Sequence, residues 1–337
     1  MPGDRPRRCW REIAPVDLCL FARPGLAPGG DFDAFLAMAR QADAAGLHSL
    51  CFGEHLVMAP DTSRYPYGPW GHPPDTAWPD PLLSLAAVAA VTERIRLSTA
   101  VLLAPLRAGL VLAKEVATLD VISRGRVELG VGTGWQLEEY AGVGLAWAQR
   151  RHRFDEVIET CRLAWGEQPF SLPLDAARGD DAARGDAAAR DAARGDDAGP
   201  GAGRLEGLIA RPVPVQGRIP LYYGVAATAA NVRRIARLGD GWTPVGVTPE
   251  QVRAGVAALR SAYADAGRDP ATLVVRVPLP PVLDAAGGID AARTVAAAEP
   301  YLEAGATMAV AGPNHRLRSA AEAGELIEGL AAAAKAL

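Results

Sequence analysis

Residues 126–135 read "RVELGVGTGW", an apolar strand-like run that ends in Gly130, Gly132 and Gly134. Glycines placed straight after a strand let the backbone approach a ligand. In a Rossmann unit that ligand is a pyrophosphate at the start of the next helix. What comes before this strand decides between that reading and another. Three apolar runs rich in Val, Ile and Leu precede it: Val16 to Phe21, Ser49 to Gly53 and Arg96 to Leu102. The glycine-bearing strand, Arg126 to Val131, is therefore the fourth, whereas the Rossmann glycines follow the first. The segment that follows, to Gln149, carries Gly142, Gly144 and little helical periodicity, so no helix is expected to begin at Gly134.

Four further strand-like runs complete the series, at Ile219 to Gly224, Gly241 to Val245, Leu273 to Leu279 and Thr307 to Ala311. Between them lie stretches with one apolar stripe at helical spacing. Phe32, Phe35, Leu36 and Ala39 form one; Leu82, Leu85, Ala86 and Ala89 another; Phe154, Val157, Ile158, Cys161 and Trp165 a third. Thr248-Pro249-Glu250-Gln251 is a capping box with proline at the first helical position, which places a helix start there. Strands alternating with helices mean a parallel sheet, and eight units predict an α/β fold of the closed (β/α)8 TIM-like barrel type. An open doubly wound sheet is the alternative that the same alternation allows.

The 337 residues exceed the barrel's usual size of about 250. The excess falls in a lid-like loop at about 54–79 and an insertion at about 170–217, within a single domain spanning 15–337. The core of that insertion, 174–203, is a degenerate repeat of D-A-A-R-G-D with almost no large apolar residue, and a flexible segment is expected. Its Arg-Gly-Asp triplets, at Arg178, Arg184 and Arg194, follow from the biased composition and are not read as an adhesion motif. Residues 1–14 are expected to be a loose tail, since the apolar run after them is too short for a signal peptide.

A net charge of -4 gives no field that would draw nucleic acid or an anionic membrane, and no segment has the roughly 18 apolar residues of a membrane helix. The expected partner is a small molecule. Cys9, Cys19, Cys51 and Cys161 are widely spaced, without a C-x-x-C pair, which argues for a reducing cytoplasm and against a disulfide framework or a metal site.

Several stretches in order, "ADAAGLHSLCFGEHLVMAP", "YPYG", "RIRLSTAVLLAPLRAGLVLAKEVATLDVISRGRVELGVGTGWQLEEYAGVG", "RRHRFDEVIETCRLAW" and "RPVPVQGRIPLYYGVAATAANVRRIARLGDGWTPVG", resemble the luciferase-like monooxygenase superfamily. They are most similar to its branch of oxidoreductases that use the deazaflavin coenzyme F420. The resemblance covers roughly residues 16 to 280 and implies a TIM-like barrel with long insertions. It also implies that Gly132, Thr133 and Gly134 leave room for a flat isoalloxazine-like ring, and that Thr99, Ala100 and Val101 form a bulge with a non-proline cis peptide behind it. The cofactor so implied is F420, with FMN as the alternative, and barrel-helix contacts imply a homodimer.

Glu54 and His55 directly follow the second strand, at the end where barrel enzymes keep their active sites. A histidine near neutral pKa beside a carboxylate suits proton transfer; a pair that merely fixes a turn is the plainer alternative. The resemblance puts these two residues beside the reactive part of the ring. Gly224, Val225, Ala226 and Ala227 precede Thr228, which can cap a helix starting near Ala229, so free N–H groups would meet a phosphate. Placing the phosphate there rests on the resemblance. Arg233 and Arg234, one turn on, are read as surface charges or as help for an anionic tail. Tyr65, Tyr67, Trp70 and Trp78, with His72, crowd a proline-rich loop that suits either a water-excluding lid or a subunit contact, and Trp135 is expected to border the same pocket. His48, His152 and His315 carry no comparable pattern. Three functions remain open: hydride transfer with F420, oxygen insertion with reduced FMN, and flavin binding without turnover.

Overall fold

A computed structural model describes residues 16–22, 25, 27, 30–73, 75–173, 204–313, 317 and 319–337. The N-terminal tail, the repeat at 174–203 and His315 lie outside the described residues. The chain runs through β1 (Asp17–Phe21), α1 (Phe32–Ala45), β2 (Ser49–Phe52), α2 (Pro81–Val91), β3 (Arg96–Thr99), β4 (Leu102–Leu103) and α3 (Gly109–Ser123). Next come β5 (Leu129–Gly132), α4 (Leu137–Gly142), α5 (Arg150–Trp165), β6 (Phe170–Pro173) and β7 (Arg204–Leu208). The rest is β8 (Leu221–Tyr223), α6 (Ala229–Leu238), β9 (Gly241–Trp242), α7 (Pro249–Asp265), β10 (Val274–Pro278), α8 (Ala291–Ala296), α9 (Glu299–Glu303), β11 (Met308–Ala311) and α10 (Ala320–Ala336).

Nine of these strands form one sheet in the order β3-β2-β1-β11-β10-β9-β8-β5-β4, and the registered pairs within it are parallel. β3 and β4 are two halves of one stave, parted by Ala100 and Val101, whose connecting peptide bond is cis. Leu97 of β3 bridges in parallel to Val127 ahead of β5, through N–H···O contacts of 2.9 Å to Arg126 and from Glu128. The two ends of the row therefore meet, and nine strands fill the eight positions of a closed barrel. An open sheet, and with it the Rossmann reading, is ruled out.

Two elements differ from the sequence reading. A six-residue helix, α4, does begin shortly after Gly134, where none was expected. Its side chains answer to local contacts, not to a long apolar stripe: the Tyr140 hydroxyl donates to the Thr133 carbonyl at 2.6 Å. Within the insertion, β6 and β7 pair antiparallel outside the barrel, with Pro173 opposite Arg204.

The helices begin and end where side chains meet their orphan backbone groups. The Asp31 carboxylate accepts from Asp33 N–H at the start of α1, and Gly46, at φ 81°, closes its end through the carbonyls of Ala42 and Asp43. The Thr248 capping box forms in full at α7. Phe35, Val88, Val116, Phe154, Ile235, Leu259 and Ile327 are buried between the barrel and its helical ring. No helix among the described residues is long and apolar enough to cross a membrane.

One carboxylate ties the first helix to the third stave. Asp43 accepts N–H bonds from Glu93 (3.0 Å), Arg94 (2.9 Å) and Ile95 (2.6 Å). Burial pushes its carboxyl up, but the three donors outweigh that and hold it below the usual carboxylate range. Its stabilising effect is thus complete above the unfolded pKa of about 3.9 and fades as pH falls through the lower folded value. Asp43→Asn is expected to cost about 1–2 kcal/mol in urea unfolding at pH 7. The gap to wild type should narrow in acid as Asp43 itself protonates.

The barrel interior holds a buried charge. Arg276 of β10, fully enclosed, donates to Ser98 Oγ at 2.6 Å and to the Thr99 carbonyl at 2.7 Å, across the barrel. Gly130 must lack a Cβ for this to fit: one there would lie 2.5 Å from the Arg276 guanidinium and 2.2 Å from the Thr99 oxygen. Glu128 is the balancing charge. Burial raises its carboxyl, yet His48, Arg96 and Arg276 together hold it below the ordinary range, with Arg96 Nε donating at 2.8 Å.

Candidate active site

β2 leads into Gly53, Glu54 and His55, and successive side chains at a strand end project to opposite sides. Glu54 turns inward and is buried. One of its oxygens accepts the Leu103 N–H at 2.7 Å; the other lies 2.6 Å from Arg107 Nη2. The same Arg107 nitrogen reaches Asp80, the N-cap of α2, at 2.7 Å. Glu54 is therefore an anchor for β4, and the sequence reading of it as the carboxylate beside His55 is corrected.

The carboxylate beside His55 is Glu139, whose Oε1 sits 3.1 Å from His55 Nδ1 and also accepts the Leu56 N–H at 2.9 Å. Glu139 comes from α4, as does its neighbour on the same face, the N-cap Gln136. The Gln136 amide is fixed at both ends, accepting from Ala59 N–H at 2.9 Å and donating to the Val57 carbonyl at 3.0 Å. Its nitrogen then stands 2.9 Å from His55 Nδ1. Both contacts fall on Nδ1, so Nε2 is the ring nitrogen directed away from this support. Gln136, Glu139 and Arg107 are the residues of this cluster that the sequence reading did not single out. The signal for the first two was a polar pair three residues apart directly after the glycine run.

The aromatic residues of the 54–79 loop converge on His55. Its ring makes edge-to-face contacts with Trp78, Trp70 and Trp135 at 4.6, 5.4 and 5.8 Å. Tyr65 packs on Trp70 and Trp135 at 4.8 and 5.4 Å, and Tyr67 on Tyr65 at 5.5 Å. Burial pushes the phenols of Tyr65 and Tyr67 up, so both stay neutral across the physiological range. Trp135, at the end of the glycine run, does border this cluster, and His72 joins it through Trp70 at 4.9 Å. The other described histidines stand apart: His152 is exposed on α5, and His48 lies beside Asp17 and Glu128.

Two glycines on this rim make room for a side chain of the barrel itself. A Cβ on Gly132 would meet Val101 Cγ2 at 2.7 Å, and one on Gly224 would meet Val101 Cγ1 at 2.6 Å. Val101, projecting from the break between β3 and β4, thus fills the space that both glycines leave. Thr99 is likewise engaged, its hydroxyl donating to the Gly130 carbonyl at 2.7 Å while its own carbonyl takes Arg276. Ala100 and Val101 remain half-buried, and Gly134, at φ 68°, turns the chain toward α4.

On the neighbouring stave, Gly224 to Ala227 lead into α6. Thr228 caps it by accepting from Asn231 N–H at 3.3 Å, which leaves the first-turn N–H groups of Ala229 and Ala230 without an intrahelical partner. Arg234 forms a two-point ion pair with Asp155 of α5, whereas Arg233 is exposed.

Comparison with known proteins agrees with this architecture. The profile of the luciferase-like monooxygenase family matches residues 16–336. The chain is 33% identical over 254 residues to the uncharacterized protein Rv0953c of Mycobacterium tuberculosis, covering 74% of this chain and 80% of that one. It is 37% identical over 132 residues to the F420-dependent glucose-6-phosphate dehydrogenase of Kineococcus radiotolerans, covering 38% of this chain and 35% of that one. Among solved structures, the oxygenating constituent of 3,6-diketocamphane monooxygenase from Pseudomonas putida, in complex with FMN, superposes with a TM-score of 0.68 at 15% identity. That likeness covers 96% of this chain and 99% of the other. The chain belongs to the luciferase-like monooxygenase family and is an enzyme of that family.

Proposed function

We propose that this enzyme binds the deazaflavin F420 at the C-terminal mouth of the barrel and moves a hydride between it and a small organic substrate. The observation that carries the reading is His55, whose Nδ1 faces the Glu139 carboxylate at 3.1 Å beneath a roof of tryptophans. The residues fit a ring with polar edges. Beside His55, the buried indole N–H of Trp70 and Oε2 of Glu139 lack hydrogen-bond partners among the described residues. Ala100 and Val101 would back the ring, with Gly132, Thr133 and Gly134 flanking them. The loop Gly224-Val225-Ala226-Ala227-Thr228 would hold the phosphate through the N–H groups that open α6.

Bound there, the deazaflavin would supply a two-electron hydride acceptor or donor at C5. His55 would carry the matching proton: when an alcohol becomes a carbonyl, the carbon loses hydride and the oxygen loses a proton to Nε2. Glu139 would accept the Nδ1–H bond and steady the imidazolium so formed, with Gln136 packed beside the ring. The lid aromatics Tyr65, Tyr67, Trp70, Trp78 and Trp135 would exclude water and contact the substrate. Glu54, buried against Arg107, would shape the site without touching the reacting atoms. Exposed Leu83, Val111 and Ile122 on α2 and α3 support a homodimer through these helices.

Titration with F420, FMN and NADPH side by side, followed by absorbance and thermal unfolding, tests the reading. F420 at about one hundred times its Kd should add about 2.7 kcal/mol of stability, and NADPH none. Tight FMN binding with none for F420 would move the assignment to flavin-dependent oxygen insertion.

A further inference from the structure

A cavity of about 300 Å³ opens beside the lid, at the C-terminal ends of β9 and β10. Val247, Val277, Pro278, Leu279, Pro280 and Tyr301 wall it, and among the described residues no acidic or basic side chain lines it. The polar side chain that lines it among the described residues is already engaged, because the Tyr301 hydroxyl donates to the Val247 carbonyl at 3.1 Å. Gly246 joins this cavity to the lid: at φ 65° it carries the ring of Tyr67, whose Cδ1 would stand 3.1 Å from a Cβ there. From Tyr67 a relay of ring contacts leads back to His55 through Tyr65 and Trp70, at 5.5, 4.8 and 5.4 Å. Leu283, in the loop after β10, and Val245, next to Gly246, are large apolar side chains exposed by 43% and 39%.

We infer that this cavity receives an uncharged, apolar arm of the substrate, whose reacting end lies at His55. The inference rests on the functional reading above and narrows its substrate class to elongated alcohols or ketones. A phosphorylated or carboxylated arm would lose its hydration on entering and find no charged side chain among the described lining residues in exchange. An alkyl or aryl arm removes apolar surface from water at both faces. Tyr67, Tyr65 and Trp70 form a packed aromatic wall between the cavity and His55, along which such a molecule would lie.

Calorimetric titration of the full chain with 2-alkanones, from butanone to 2-decanone, tests this beside a hexose phosphate. Affinity should rise about three- to four-fold with each added methylene, the factor that burying one CH₂ implies, until the cavity is filled. Val247→Trp, which crowds the cavity from its half-buried rim, should flatten that series. It should leave the F420-induced shift in melting temperature in place. A flat series in the wild type, a series unchanged in Val247→Trp, or tighter binding of the hexose phosphate would overturn the inference. If the ketone series climbs while neither F420 nor FMN shifts the melting temperature, the cofactor reading falls and the cavity assignment stands.

Discussion

Replacing Arg276 by methionine should lower the stability of the fold by about 3–5 kcal/mol, the range for a buried ion network that loses one charge. Methionine keeps much of the side-chain volume, so the loss reports on charge and hydrogen bonding more than on a cavity. Two acceptors, Ser98 Oγ and the Thr99 carbonyl, would be left inside the barrel without their donor. Glu128 would lose Arg276, one of the groups that hold its carboxyl down. The lowered carboxyl means that wild-type Glu128 adds stability above its unfolded pKa, and that this is lost as pH falls through the folded value. The variant should therefore unfold earlier in guanidinium at neutral pH and lose less on acidification. A cost under about 1 kcal/mol would show that the barrel does not depend on this charge.

His55→Ala should reduce kcat by about 10² to 10⁴, the usual worth of a positioned acid or base, while F420 affinity changes little. Equal loss of affinity and turnover would instead favour a flavin-binding barrel without catalysis. Glu139→Gln separates positioning from proton transfer. It keeps the volume and a hydrogen-bond acceptor but removes the negative charge facing Nδ1, so the pH profile of kcat should move while KM holds. In the His55→Ala background the same change should add almost nothing, since a residue acting through the imidazole has no effect once the imidazole is gone.

The eight staves were legible because short apolar runs alternate with helical stripes along the chain, and the capping box at Thr248 marked a boundary to the residue. The interruption between β3 and β4, with its cis peptide between Ala100 and Val101, was implied by the family resemblance and not by the side-chain pattern of "RLSTAVLL", because a backbone turn leaves no trace there. Glu54 was paired with His55 because they are adjacent, yet adjacency at a strand end separates side chains. The true partner is 84 residues away from His55, on a helix too short to show a period. Arg276 was the charge in an otherwise apolar run, "LVVRVPL", and that mismatch with a buried strand was the available sign of an ion network inside the barrel. The glycines of "GVGTG" each make room for a different neighbour, Gly130 for Arg276, Gly132 for Val101 and Gly134 for Leu103, and none of these contacts is readable from the glycine spacing.

Arg107 grips Glu54 and Asp80 with one nitrogen, at 2.6 and 2.7 Å. Those two carboxylates stand at the start and finish of the stretch that carries the lid, so the chain's entry and exit are clasped together by the barrel itself. Doubling the length of a loop whose ends are already met costs only about 0.6 kcal/mol in closure entropy. The 54–79 loop is in that sense an exchangeable cassette: its length and aromatic content can change while Glu54, Arg107 and Asp80 keep the rim of the barrel together.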